Sequence, residues 1–114
     1  MPWLLRDGEV LASLEVADGT AGRVCGLLGR DSLDGALLLR PAASVHTLGM
    51  RFPIDVAYCD TDLVVLDVCR MAPWRFGLPR RAARAVVEAE AGAFDRWRLR
   101  PGDALEVCEG EGLR

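Results

Sequence analysis

The only histidine in the chain, His46, stands in the stretch SVHTLGMRFPIDVAYCD, residues 44–60, with Ser44 and Thr47 beside it and Asp55 a few residues on. Histidine is the side chain whose ordinary charge change falls near neutral pH, so His46 is the natural candidate for a general base. Asp55 or Asp103 could orient its ring while Ser44 or Thr47 supplies a hydroxyl, the ingredients of a small hydrolase or isomerase. A triad is defined by geometry, however, and a chain with one His, three Ser and many Asp offers some such combination by chance. A histidine that touches a ligand asks less of the sequence, and one hydrogen-bonded beside a bend asks least. No catalytic residue is therefore assigned, and His46 with Asp55 is kept as the alternative.

Arginine makes the second concentration. Between Val68 and Val87 lie Arg70, Arg75, Arg80, Arg81 and Arg84 with no acidic residue, a local charge of +5; against the overall −3, the rest of the chain carries −8. Trp74 and Phe76 are interleaved with them. Guanidinium forks beside aromatic rings suit a phosphate, a carboxylate or stacked single-stranded nucleic acid, although a pI near 5.1 argues against nucleic acid as the partner. The competing expectation is a solvated loop whose arginines pair with the acidic remainder. The candidate ligand-binding set is His46, Thr47, Met50, Asp55, Arg75, Arg80, Arg81 and Arg84, and the four arginines of that set are expected to form one exposed positive surface. The partner they fit is a small anionic molecule, a sugar or a peptide; a scaffold or interaction protein is the remaining class.

Other chemistries have less to work with. The chain contains no lysine, which excludes a lysine nucleophile and the Schiff bases it forms. Cys25, Cys59, Cys69 and Cys108 include no CxxC pair, and with a single histidine they match neither a zinc cluster nor a redox motif. They read as small buried hydrophobes in a reducing compartment. Neither a metal nor a cofactor is expected.

The elements that must position these residues are mostly strands. A chain of 114 residues with 51% apolar content forms one ordinary domain. Val10, Ala12, Leu14 and Val16 alternate as a half-buried strand, and Ala21, Val24, Leu27 and Leu28 recur at helical spacing before Gly29. GALLL at 35–39 reads as a strand buried on both sides, and Ser44 to Leu48 as a weaker strand. Gly49 to Pro53 forms a bend at which Met50 fills a gap in the core or floors an apolar pocket. Ile54, Val56 and Tyr58 then alternate into a turn at Asp60-Thr61-Asp62 and a return strand to Met71. If those three share a buried face with Val64, Leu66 and Val68, paired residue numbers sum to about 122, and Asp55 faces Asp67. One of the two carboxylates then needs an arginine or a backbone donor.

Residues 72–84 form a loop, Ala85 to Ala91 a strand, Gly92 to Trp97 a short connection, and Arg98 to Val107 a last strand entered through Pro101-Gly102-Asp103. The fold class is mainly β, bordering on α+β: a single antiparallel barrel or sandwich of jelly-roll type with one or two short flanking helices. It spans 1–114, with a core at about 10–108 and a frayed tail at 109–114. The opening MPWLLRDGEV has no basic region ahead of its apolar residues, and no run reaches the roughly 18 apolar residues of a membrane span, so a cytoplasmic location is expected.

The order of a helix ending in GLLG, then GALLL, VHTLGMRFPIDVAYCD, a hydrophobic strand, AVVEAEAG and a closing RPGD resembles the bacterial and archaeal family called domain of unknown function 192. The resemblance covers about residues 10–108 and is strongest from Met50 to Asp60 and at the late Gly-Asp turn. It implies a small β-rich fold of jelly-roll type with a flanking helix, and no established activity. Two features depart from it. Many members carry an N-terminal signal or membrane anchor, whereas here the first strand comes almost at the start, and Leu28 stands where many members have methionine.

Overall fold

Alternating apolar residues pair where the sequence places its hairpin. In a computed structural model, which describes residues 2–18 and 31–110, β4 (Ile54–Cys59) runs antiparallel to β5 (Val65–Met71). The other strands are β1 (Pro2–Arg6), β2 (Glu9–Asp18), β3 (Ala36–Arg40), β6 (Ala85–Glu90) and β7 (Leu105–Glu109), and the described residues hold one helix, α1 (Ala93–Trp97). Together the strands make one seven-stranded sheet in the order β5-β4-β6-β3-β2-β1-β7. The helix expected before Gly29, Cys25 and Leu28 within it, and the last four residues lie outside the described residues. Glu109 belongs to β7, so the closing strand runs further than expected.

The antiparallel barrel needs correcting in two ways. β2 and β3 run parallel, which the long connection over residues 19–35 permits, because parallel neighbours need a crossover of a dozen or more residues. The sheet also does not close. Its outer strands meet at one end only, where Val64 bridges Ala104 and the Val65 amide donates to Asp103 O at 2.8 Å. Beyond that contact α1 and its exit fill the inner face: Phe94 and Leu99 join Leu4, Leu38, Val65 and Val87 in one cluster.

The opposite face carries a second cluster, Leu37, Leu39, Ile54, Val56, Tyr58, Met71 and Val86, covered by the loops on either side of β4 and β5. β3, Ala36–Arg40, is buried through its first four residues because its side chains feed both clusters. Met50, 4% exposed, and Ile54, fully buried, face this second cluster as the bend at 49–53 predicts.

The hairpin register differs from the sequence expectation by three residues. Ile54 lies opposite Met71, Asp55 opposite Arg70 and Tyr58 opposite Asp67, so the paired numbers sum to 125. The turn is longer than a two-residue loop because Asp60 Oδ1 accepts the amides of Asp62 at 2.9 Å and Val64 at 3.0 Å, and a bulge at Tyr58/Cys59 follows. An odd shift exchanges the two faces, so Asp55 and Asp67 sit on opposite sides of the sheet. Each still has an arginine: Arg70 for Asp55 and Arg80 for Asp67.

Candidate functional site

Thr47 ties the two covering loops together. Its buried Oγ1 donates to Ala72 O at 2.6 Å and accepts the Arg75 amide at 2.9 Å, while its backbone carbonyl accepts Met50 N and Trp74 N. Around it, Thr47 N donates to Arg75 O, Gly77 N to Val45 O and Arg80 N to Ala43 O. Residues 43–47 and 75–80 thus lie against each other as an irregular ribbon over the second cluster, with His46 bridged to Phe76. The strand expected at Ser44 to Leu48 is reduced to that single bridge. Gly77 is required here, since a Cβ would come within 2.7 Å of Tyr58 Oη and 3.0 Å of Val45 O.

His46 is exposed on this ribbon, its ring 6.2 Å from that of Phe76, and its Nδ1 accepts the Leu48 amide at 3.3 Å. Neither aspartate offered to it by the sequence is hydrogen-bonded to it. Asp55, 3% exposed, accepts Arg70 Nε at 2.9 Å through Oδ1, and Gly92 N and Phe94 N through Oδ2 at 3.0 and 3.1 Å. It anchors the start of α1 to β4. Asp103 accepts Arg6 Nη1 at 3.0 Å and the Arg100 amide at 3.1 Å, closing the turn before β7.

An open cleft of about 460 Å³ separates the end of β5 from residues 75–80, lined by Cys69, Arg70, Met71, Arg75, Phe76 and Arg80 among others. Of the eight ligand-binding candidates, Arg75 and Arg80 border it. His46, Thr47, Met50, Asp55, Arg81 and Arg84 do not. The three arginines on the cleft differ in what they face. Arg70 pairs with Asp55 and Asp95, and Arg80 pairs with Asp67 at 2.8 Å while its guanidinium lies 4.2 Å over the Tyr58 ring. Arg75 donates only to the carbonyls of Pro73 and Trp74, so among the described residues its charge has no carboxylate partner. The same holds for Arg84, which donates to the carbonyls of Arg81 and Ala83. The expected four-arginine surface therefore loses Arg80 to an ion pair.

Three titratable groups outside the candidate set lie on the same face of the sheet as the second cluster. Glu88 is 5% exposed, between Val56 on β4 and Leu37 on β3, and burial pushes its carboxyl up to about 7. Tyr58 Oη is buried without a hydrogen-bond partner among the described residues, and burial raises its pKa. Asp67 lies opposite Tyr58. The one available signal was alternation: Val86 and Glu88 share a face of a strand whose other face, Val87 and Ala89, is equally apolar, so either assignment buries something. Burial also pushes the Cys59 thiol up to about 12 and raises that of Cys69, which keeps both protonated and poorly nucleophilic at neutral pH.

No helix among the described residues is long and apolar enough to cross a membrane. Two solved structures share the fold. A protein of unknown function from Novosphingobium aromaticivorans superposes with a TM-score of 0.78 at 22% identity, covering 92% of this chain and 82% of that one. A second solved structure, of a Sinorhizobium meliloti protein described as a transcription regulator, has a TM-score of 0.78 at 20% identity, covering 93% of this chain and 91% of that one. Among sequence relatives, a UPF0127 protein of Pyrococcus furiosus is 33% identical over 103 residues, 86% of this chain and 89% of its own length. A UPF0127 protein of Pyrococcus abyssi is 30% identical over 98 residues, 82% and 84% of the two chains. The family model described as uncharacterized ACR, DUF192, matches residues 4–107, beginning inside β1 and ending inside β7, and the chain belongs to that family.

Proposed function

We propose that this domain is a non-catalytic binding module that takes a small anion, of the phosphate or carboxylate class, in the cleft between β5 and residues 75–80. One observation carries the reading: Arg75 lines a concave surface, and among the described residues its guanidinium has no carboxylate partner. A desolvated anion is held best by a charged fork of that kind, and Phe76 on the same cleft supplies an apolar wall for the body of the ligand. A sugar acid or a peptide carboxylate presents the same group. Cys59, Cys69 and Cys108 are free thiols, which suits a protein working in a reducing cytoplasm. The acid–base alternative through His46 has less support, because Asp55 and Asp103 spend their oxygens on other donors.

A thermal-shift series with phosphate, sugar phosphates, di- and tricarboxylates tests the proposal. A ligand at 100 times its dissociation constant stabilises by about 2.7 kcal/mol, a clear displacement of the melt for a chain of this size. Arg75→Ala is expected to abolish the response and Arg81→Ala to retain it. A response that survives Arg75→Ala, or none across the series, refutes this site.

A further inference from the structure

Residues 74–78 hold three large apolar side chains in solvent: Trp74 is 64% exposed, Phe76 76% and Leu78 77%. Gly77 turns to Tyr58 beneath, so Phe76 and Leu78 on either side of it stand outward, and Trp74 lies exposed at the bend before them with Arg75 between. The row is held in place. Trp74 has a φ of +63°, which a bulky residue keeps only where its surroundings fix it, and its amide is tied to Thr47 O at 2.8 Å. Exposed Arg75, Arg81 and Arg84 share the segment, make no ion pair with an acid among the described residues, and have no acidic neighbour in sequence from Val68 to Val87.

We infer that this side of the domain docks on an anionic lipid surface, with Trp74, Phe76 and Leu78 entering the headgroup layer and the arginines meeting lipid phosphates. Protruding apolar groups flanked by cations complement a bilayer in two ways: phosphate lies outermost and acyl chain beneath, and tryptophan settles at that boundary. Arginine stems can lie along the apolar side chains while their heads stay with phosphate. A second copy of this chain fits poorly, because a two-fold contact would set each unneutralised arginine group against its equal. An acidic protein would satisfy the charges, but Trp74 lies outside the cleft, and Phe76 and Leu78, which edge it, are 76% and 77% exposed and stand out from it. The inference shares Arg75 and Phe76 with the small-anion reading but rests on the exposed apolar row and on Arg81 and Arg84, which that reading does not use.

The test mixes the full chain with sedimentable vesicles of phosphatidylcholine alone or of phosphatidylcholine with phosphatidylglycerol. The anionic vesicles are expected to bind at least about tenfold more strongly, and Trp74→Ala with Leu78→Ala to remove about tenfold of that. Arg81→Ala with Arg84→Ala is expected to weaken anionic binding while leaving the weak neutral binding unchanged. Circular dichroism melts confirm that both variants fold. Equal binding to the two vesicle types, or a Trp74/Leu78 variant that sediments like the wild type, overturns the inference. So does a concentration-dependent dimer that the same variant dissolves, which would assign the row to a second copy.

Discussion

Glu88 makes stability depend on pH in a direction opposite to that of an ordinary paired carboxylate. Its side chain is 5% exposed between Val56 and Leu37, and burial alone moves its carboxyl from the ordinary 4.5 to about 7. The folded chain therefore holds a proton between those values that the unfolded chain has released. Folding is favoured where Glu88 is protonated in both states, below about pH 4.5, and that stability is lost as pH rises through about 7. At about 1.4 kcal/mol for each pH unit between the two values, the loss is about 3 kcal/mol. Glu88→Gln keeps the shape and cannot ionise. Urea denaturation from pH 4.5 to 8 is expected to show wild type and variant converging at the acid end and separating towards pH 8, with Glu88→Gln the more stable. Parallel curves would refute the assignment, because they would mean that Glu88 ionises in the fold as it does in the unfolded chain.

Asp55→Ala should cost about 3 kcal/mol in urea unfolding, since it strands two buried amides, Gly92 N and Phe94 N, along with the partner of Arg70; a loss under about 0.5 kcal/mol, typical of surface positions, would sink the structural role. Thr47→Val preserves volume but leaves Ala72 O and Arg75 N unpaired, for about 1–2 kcal/mol, and should speed hydrogen exchange at the Arg75 and Trp74 amides before other sites. Unchanged exchange there would show that the ribbon is held by its backbone bonds alone.

The strands were legible where a pattern admits one period. Ile54 to Cys59 and its return arm, the apolar Ala36–Arg40 and the Ala85–Glu90 strand all appear where alternation or a short apolar run puts them. β1 was missed although Asp7-Gly8, at φ 53° and 78°, makes the two-residue turn that joins it to β2. Five residues ahead of that turn are too few for periodicity to register. Register was illegible for a different reason: it depends on how Asp60 folds the turn, a choice of side-chain hydrogen bonds that leaves the alternation on either side unchanged. The parallel pairing of β2 with β3 is likewise a matter of connection, and strand composition carries no trace of it.

The cleft's lining was legible as a segment and illegible as a set of residues. Five arginines between Val68 and Val87 are chemically the same in the sequence, and the fold divides them by what lies opposite. Arg70 points into the sheet's inner side, where the register sets Asp55 across from it and α1 brings Asp95; Arg80 folds back over Tyr58 to reach Asp67. Both assignments follow from the odd register shift. With Asp55 facing Asp67, as a sum of 122 would require, Arg70 would not stand across from Asp55 and the two acids would share one face. The same shift that separates the carboxylates neutralises two arginines on the cleft and leaves Arg75 as the charge there without a carboxylate partner. If the cleft takes an anion as proposed, its charge is set by the Asp60 turn, fifteen positions before Arg75. Shortening that turn to two residues should re-pair the hairpin and cost the domain its cleft chemistry as well as its stability; a shortened variant that kept an Arg75-dependent anion response would show that the register plays no part in it.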